Sequence, residues 1–194
     1  MPQLGLRFFG EDSLSAGLIP RGGIRVGYIG VRYEARFVTT KPFAVPLDGG
    51  YELTTPIGDP VRVKAGTLDT AGSLTVLEFL VAPQNGPGAH IHFREDELWY
   101  VIEGKFRFKA GDAMLQASTG GFAFGPRGVP HAFQNIGDTP GRLLVITTPS
   151  GLERFFDQYA ELLPGPIDQD TLEAIAAGNW TKFVGPPLAV SDPS

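Results

Sequence analysis

The sequence contains no cysteine, which excludes disulfide bonds, thiolate metal ligands, iron–sulfur clusters and cysteine nucleophiles. Any bound metal ion must therefore be held by nitrogen and oxygen atoms. No run approaches the about 20 apolar residues that span a bilayer, and residues 1–17 lack the pattern of a signal peptide. We therefore expect a soluble cytoplasmic protein without a membrane partner.

Basic residues are few and are scattered along the chain. The 194 residues include 16 Lys and Arg against 21 Asp and Glu, for a formal net charge of −5. Proteins that bind nucleic acid concentrate positive charge on one face to hold phosphates. The sequence therefore predicts no nucleic-acid partner, and we expect the partner to be a small molecule.

Glycine and proline are abundant and widely spread, with 26 and 17 residues respectively. This distribution favours frequent turns and short strands over long helices. Between residues 51 and 148, short apolar or alternating runs lie between the turns, as in antiparallel β-proteins. The predicted strands are YELTT, VRVKAG, SLTVLEFLVA, ELWYVI, KFRFKA, AMLQA, FAFG, HAFQNI and RLLVITT.

These runs predict an all-β barrel over residues 46–150, preceded by an N-terminal extension or arm at residues 1–45. After the barrel, GLERFFDQYAELL and DQDTLEAIAAGN have helical spacing and predict a helical cover over residues 151–180. The second helix has an acidic residue suited to capping near its start. Residues 181–194 are predicted to be a tail.

The strand KFRFKA shows the clearest alternation of apolar and basic residues. Period-two geometry predicts that Phe106 and Phe108 face the core. The same geometry places Lys105, Arg107 and Lys109 in water.

The chain has only three histidines, and each lies in a short motif. His90 and His92 are two residues apart, so on a strand both imidazoles point to one face. Glu97 follows a four-residue polar turn that can reverse the chain, and His131 directly follows a stiff bend rich in glycine and proline. Three imidazoles and one carboxylate suit a divalent Fe, Mn, Co, Ni, Cu or Zn ion.

The order and spacing of these residues resemble the two motifs of the cupin superfamily. The first motif is matched by His90, His92, Glu97 and Gly104, and the second by Gly120, Pro126, Gly128, His131 and Asn135. One departure occurs in the lead-in loop, where Gln84 stands in place of a glycine and Gly86 and Gly88 lie nearby. The sequence around the motifs is similar to that of bacterial cupins labelled quercetin-dioxygenase-like.

The resemblance implies a double-stranded β-helix, or jelly-roll barrel, with one divalent transition metal ion bound by His90, His92, Glu97 and His131. It also implies a homodimer. Glu97 is the candidate catalytic residue, since a carboxylate at the ion can exchange a proton with substrate.

A metal-dependent dioxygenase acting on a small phenolic or enolic compound is the leading functional hypothesis. The alternatives are a lyase, isomerase or hydrolase that uses the metal ion as a Lewis acid, and a non-enzymatic barrel that binds a small molecule.

Three aromatic residues are candidates for the wall of a substrate pocket. Strand parity places Trp99 on the face of Glu97 and Phe133 on the face of His131, and Phe122 lies on a neighbouring predicted strand. Each of the three is equally suited to packing in the barrel core.

The charged residues beside the first motif are predicted to be structural. Glu95 and Asp96 are expected in a solvated turn, and Arg94 and Arg127 are expected to be surface charges.

Overall fold

The computed structural model describes residues 25–28, 31–34 and 40–193, and its contacts divide the chain into units at residues 1–41 and 42–194. In the first unit, β1 (Arg25–Tyr28) pairs antiparallel with β2 (Val31–Glu34). The rest of the predicted arm up to residue 39 lies outside the described residues, so its role stays a prediction.

The second unit is built mainly from strands that form two antiparallel sheets. In chain order the strands are β3 (Tyr51–Thr54), β4 (Pro60–Ala65), β5 (Thr75–Val81), β6 (Gly88–His92), β7 (Asp96–Glu103), β8 (Lys105–Ala110), β9 (Ala113–Ser118), β10 (Phe122–Gly125), β11 (His131–Asn135), β12 (Gly141–Thr148) and β13 (Thr181–Pro187). One sheet has the order β10-β7-β12-β5-β4-β3, and the other has the order β13-β6-β11-β8-β9. All nine predicted strands between residues 51 and 148 are present, and the predicted all-β jelly-roll fold is confirmed.

The core lies between the inner faces of the two sheets. Side chains on β5 and β12 alternate between buried and less buried positions along their length, as a sheet with one face on the core requires. The fully buried apolar side chains include Val61, Leu77, Val81, Trp99, Val101, Phe106, Phe108 and Leu143.

The prediction for β8 is confirmed for its two phenylalanines and wrong for Arg107. That side chain is only 6% exposed, although it points away from the core. Its Nε donates to Gln134 Oε1 at 2.6 Å, and its Nη2 donates to the carbonyl oxygens of Leu188 and Asp192 at 3.3 and 2.6 Å. The C-terminal residues cover Arg107 and accept hydrogen bonds from its Nη2, which strand alternation alone does not reveal.

Two C-terminal helices follow the barrel, as predicted. They are α1 (Glu153–Glu161) and α2 (Gln169–Gly178). Phe155 and Phe156 of α1 are buried in the core cluster, and the Asp168 side chain caps α2 by accepting a hydrogen bond from the backbone of Thr171 at 2.7 Å. No helix among the described residues is long and apolar enough to cross a membrane.

The prediction of a tail from residue 181 is wrong. Strand β13 pairs antiparallel with β6, placing Thr181 opposite His92 and Phe183 opposite His90, and α3 (Leu188–Ser191) follows. The sequence of β13, TKFVGPP, contains one glycine and two prolines, which are typical of loops and edge strands. β13 is such an edge strand, and it supplies hydrogen-bond partners to the backbone of β6.

Candidate metal centre

Three strands of the two sheets bring the four predicted ligands together inside the barrel. His90 and His92 lie on β6 and Glu97 lies near the start of β7, while His131 opens β11 directly opposite His90. All four side chains are buried. The structure thus groups residues that the chain separates by up to 41 positions.

The potential ligand atoms face one another at short range. Oε2 of Glu97 lies 2.9 Å from Nε2 of His92, 3.1 Å from Nε2 of His131 and 3.8 Å from Nε2 of His90. One ligand atom from each residue can be chosen so that all lie within 4.8 Å of one another. This arrangement fits a single ion with three nitrogen ligands and one oxygen ligand.

The opposite nitrogen of each imidazole has a hydrogen-bond partner. Nδ1 of His90 lies 2.8 Å from the carbonyl oxygen of Gly88, and Nδ1 of His131 lies 2.9 Å from that of Val129. Because a carbonyl only accepts, both Nδ1 atoms carry the proton and both Nε2 atoms keep a lone pair when the rings are neutral. This is the form of histidine that binds a metal ion through Nε2.

The nitrogen and oxygen atoms at the centre of the cluster are suited to binding a cation. Nε2 of His92 is buried and has no hydrogen-bond partner among the described residues, although a carboxylate oxygen lies nearby. Lone pairs from three neutral rings and a carboxylate repel one another unless protons or a cation lie between them. Nitrogen and oxygen donors of this kind suit a divalent transition metal ion, so the cluster is a possible metal site.

The electrostatics of the cluster favour an ionised carboxylate. Burial opposes the ionisation of Glu97, but the three imidazoles that face its carboxylate, with His131 at hydrogen-bond distance, outweigh it and hold the pKa of Glu97 well below its usual range. Burial lowers the pKa of His92 and so favours its neutral form. Burial also opposes protonation of His131, but the hydrogen bond to Glu97 outweighs it and raises the pKa of His131.

A cavity of about 410 Å³ opens beside the cluster. His90, His92 and Glu97 form part of its wall. The remaining wall is mostly apolar and combines barrel residues with the C-terminal elements; it includes Ile57, Phe79, Phe133, Leu152, Phe155, Phe156, Leu172, Phe183 and Pro187. A largely apolar cavity with a few polar groups at one end is typical of a small-molecule site.

The three predicted pocket aromatics have different positions. Phe133 lines the cavity, and its contact with substrate stays a prediction. Trp99 is fully buried and is not part of the cavity wall; its Nε1 instead donates to Oε1 of Glu97 at 2.7 Å. Phe122 is 58% exposed and does not line the cavity, so its assignment to the pocket is wrong. It lies on β10 at the edge of its sheet, and strand alternation turns it outward.

The prediction of a solvated turn is wrong for Glu95, which is only 3% exposed. Its Oε2 has no hydrogen-bond partner among the described residues, and burial raises its pKa to about 7. The neighbouring Asp96 follows the prediction: it accepts hydrogen bonds from Arg127 near the surface, and these bonds lower its pKa to about 2. A polar turn of four residues thus has one side chain that points inward, which composition does not indicate.

The loop before β6 explains the departure from the first motif. Gln84 has a φ of 62°, in the left-handed region that glycine adopts most easily, so the backbone there keeps the shape that the motif glycine serves. Nearby Gly86 has no room for a side chain, because a Cβ atom would lie 2.0 Å from the carbonyl oxygen of Phe133. Asn135 of the second motif has a hydrogen-bonding role, since its Nδ2 donates to the carbonyl oxygens of Val81 and Thr139.

Comparison with known proteins agrees with this geometry. Residues 77–147 match the family described as Cupin domain. No curated protein matches the sequence significantly. The matched stretch includes all four candidate ligands, so this part of the barrel is similar to the cupin domain.

Solved structures match about half of this chain and most of their own length. KdgF from Halomonas sp. is 16% identical with a TM-score of 0.50, covering 56% of this chain and 96% of that chain. An RmlC-like cupin from Shewanella frigidimarina is 18% identical with a TM-score of 0.48, covering 57% of this chain and 93% of that chain. A predicted oxalate decarboxylase from Thermotoga maritima is 18% identical with a TM-score of 0.45, covering 51% of this chain and 90% of that chain. At these identities the likeness concerns the fold alone.

Proposed function

We propose that this protein is a metal-dependent dioxygenase that acts on a small phenolic or enolic compound, as its sequence resemblance to quercetin-dioxygenase-like cupins suggests. The observation that carries the proposal is the buried cluster of His90, His92, Glu97 and His131 at the wall of an apolar cavity. A bound redox-active ion would supply a Lewis acid for the substrate oxygen and a path for electrons to O2.

The residues of the cluster favour loss of a proton from the substrate. Among the described residues that line the cavity, Glu97 is the only carboxylate. The imidazoles keep it ionised, and the indole of Trp99 holds its Oε1, so Oε2 is the oxygen directed at the imidazoles. Oε2 is therefore the base positioned to accept the hydroxyl proton of a phenol or enol.

The wall of the cavity favours an uncharged substrate body. Apart from the cluster, the polar side chains among its described lining residues are those of Thr55, Gln169 and Thr181, and none of these described residues is a lysine or arginine. A small dicarboxylate would therefore lack a cationic partner for its second charge. A phenolic ring can bury its apolar body against Phe79 and Phe133 while one oxygen reaches the cluster.

The C-terminal helices supply apolar side chains to the cavity wall. Leu152, Phe155 and Phe156 reach it from the start of α1, and Leu172 reaches it from α2. Excluding water protects reactive oxygen chemistry from side reactions and strengthens the electrostatic interactions within the site. This wall lies outside the region matched by the cupin family.

The first test is metal analysis of protein purified without chelator or nickel affinity resin, followed by oxygen-electrode assays with catechol, 1-naphthol and a flavonol. We expect about one equivalent of a redox-active metal ion. We also expect substrate-dependent oxygen uptake, and loss of metal and uptake in the His90→Ala/His92→Ala double variant. Substrate turnover without oxygen uptake would instead support a Lewis-acid enzyme. Neither metal nor turnover, even after reloading with Fe²⁺, Mn²⁺ and Ni²⁺, would support a binding barrel.

We also propose that the protein is a cytoplasmic homodimer. The outward face of the six-stranded sheet exposes Tyr100, Phe122 and Phe124, which are close together because β10 pairs with β7. Exposed apolar groups of this kind are typical of protein interfaces. Sedimentation equilibrium would measure the mass, and a monomer at micromolar concentration would contradict the proposal.

A further inference from the structure

We propose that Thr181, on the C-terminal strand β13, is a positioning residue of the metal centre. Its hydroxyl oxygen accepts the Nδ1 proton of His92 and so keeps Nε2 of that ring in the form that binds a metal ion. The inference rests on the metal centre proposed above, but it concerns a residue outside both the ligand set and the family-matched region 77–147.

The position of Thr181 is set by sheet pairing. β13 lies at the edge of its sheet beside β6, and Thr181 is the residue directly opposite His92. Both side chains are buried, and Thr181 Oγ1 lies 2.9 Å from His92 Nδ1. The contact is therefore shielded from water, which would otherwise compete for the same nitrogen.

The direction of this hydrogen bond follows from a second contact of the hydroxyl. Thr181 Oγ1 donates its only proton to the carbonyl oxygen of Asn179, at 3.3 Å. Its remaining lone pairs are then available to accept, so the proton shared with His92 belongs to Nδ1. The neutral ring therefore carries its lone pair on Nε2, which lies 2.9 Å from Oε2 of Glu97.

His92 differs from the other two imidazoles in the source of its partner. His90 and His131 each bond the carbonyl oxygen of the residue two positions earlier in their own strand or bend. Those partners are backbone atoms, which no substitution removes. His92 instead depends on a side chain that lies 89 positions away along the chain. The orientation of one candidate ligand thus depends on the C-terminal segment.

The surrounding backbone holds Thr181 in place. The carbonyl oxygen of Trp180 accepts from the backbone N–H of Phe93 at 2.8 Å, directly beyond His92. On the other side, the ring of Phe183 lies 6.2 Å from that of His90, centroid to centroid. Trp180 itself has a φ of 58°, an uncommon conformation for a residue other than glycine, at the sharp turn from α2 into β13. These contacts leave the hydroxyl little freedom to move away from His92.

The test compares Thr181→Val with Thr181→Ser. Valine preserves the branched shape but has no acceptor, whereas serine keeps the hydroxyl oxygen. We expect Thr181→Val to weaken Zn²⁺ binding about 10-fold or more, the usual effect of losing a hydrogen bond to a ligand imidazole, while Thr181→Ser stays near wild type. Affinity would be measured by competition with a chromophoric chelator. Thr70→Val is the matched control, since its hydroxyl bonds only backbone groups of Gly66 and Leu74, remote from the cluster.

A second readout does not require metal or substrate. Nitrogen NMR of the metal-free protein reports which imidazole nitrogen carries the proton. Thr181→Val should change the tautomer signals of His92 and leave those of His90 and His131 unaltered. This readout also serves if Thr181→Val binds too weakly to titrate; if valine prevents folding, Thr181→Ala replaces it in both measurements.

The outcomes separate this inference from the proposed function. Equal Zn²⁺ affinity in wild type and the folded Thr181→Val protein, with an unchanged His92 tautomer, would overturn the positioning role even if the protein proves to be a dioxygenase. Wild-type protein that binds Zn²⁺ but consumes no oxygen with any substrate would overturn the dioxygenase and leave the role of Thr181 intact. Equal weakening by valine and serine would indicate a packing effect and would also overturn the inference.

Discussion

The family-matched region and the C-terminal segment contribute different parts of the same site. Residues 77–147 supply all four candidate ligands, whereas residues 152–187 supply the partner of His92 and much of the apolar cavity wall. The first region is rich in recognisable motifs, and the second has none. The ligands of a metal site and the groups that orient and enclose them can therefore lie in separate stretches of chain with separate sequence constraints.

Loss of a ligand should have the largest effect, and this effect should be confined to metal binding. His131→Ala removes one of three imidazoles, so we expect affinity for Zn²⁺ to fall by more than about 100-fold, beyond the usual effect of altering a supporting residue. The β fold should persist, because the remaining core between the sheets is apolar. Chelator competition and far-UV circular dichroism would check both points; wild-type metal content in this variant would contradict the ligand assignment.

A substitution in the buried part of the C-terminal segment should instead lower stability and leave metal affinity nearly unchanged. Phe156 is buried in the core cluster, with its ring 5.7 Å from that of Phe79, so Phe156→Ala should lower the free energy of unfolding by about 3–5 kcal/mol. It should also enlarge the cavity while leaving the four ligands in place. We expect metal affinity within about threefold of wild type, well below the effect of a lost ligand contact. Urea denaturation and metal titration would be compared, and a parallel loss of both would mean that the two regions are not separable.

A smaller change tests support within the matched region itself. Trp99→Phe keeps an aromatic ring but removes the N–H that bonds Oε1 of Glu97. We expect metal affinity to fall about 10-fold, because the carboxylate loses its orienting partner. Trp180→Phe is the control, since that indole is 58% exposed. Unchanged affinity in Trp99→Phe, measured by chelator competition, would show that packing alone orients Glu97.

A smaller effect, on stability and its pH dependence, is expected at Glu95, two positions before the ligand carboxylate of Glu97. Burial raises its folded pKa to about 7, so between about pH 4.5 and 7 the folded protein retains a proton that the unfolded chain releases. Stability should therefore fall as pH rises through this window. Glu95→Gln removes the penalty, and we expect it to be more stable than wild type by about 1–2 kcal/mol at pH 8 and little different at pH 4.5.

The neighbouring Asp96 provides a control of opposite sign for that pH dependence. Hydrogen bonds from Arg127 lower its pKa to about 2, so its contribution is present above the unfolded pKa of about 4 and is lost as pH falls towards 2. Asp96→Asn should therefore destabilise the protein slightly at neutral pH, by less than about 1 kcal/mol because the ion pair lies near the surface and is partly exposed to solvent. Thermal unfolding of Glu95→Gln and Asp96→Asn across this pH range would check the directions of both stability changes.

Several features could be predicted from the sequence because they depend on local spacing. A spacing of two positions places His90 and His92 on one face of β6, and the alternation in KFRFKA correctly buries Phe106 and Phe108. Changes from period-two to helical spacing likewise indicated α1 and α2. Glycine and proline marked most turns. In each case the decisive neighbours lie within a few positions of one another.

The incorrect predictions share a different cause. Alternation places Arg107 in water because it cannot show that the chain returns 81 residues later to cover this side chain. Phe122 was expected in the pocket because parity alone does not say which face of an edge strand points inward. Residues 181–187 were expected to be a tail because glycine and proline weaken the strand signal, although the open edge of β6 supplies partners for them.

The composition of the candidate site can be read from the sequence alone: three histidines and one glutamate supply nitrogen and oxygen donors that suit a divalent transition metal ion, in a chain without cysteine. Local backbone geometry and ligand chemistry are enough for that. The three-dimensional fold is needed to show that Trp99 bonds Glu97 rather than lining the pocket, that Thr181 bonds His92, and that Glu95 is buried. These depend on which distant strands lie side by side, and that is set by burial and pairing over the whole chain.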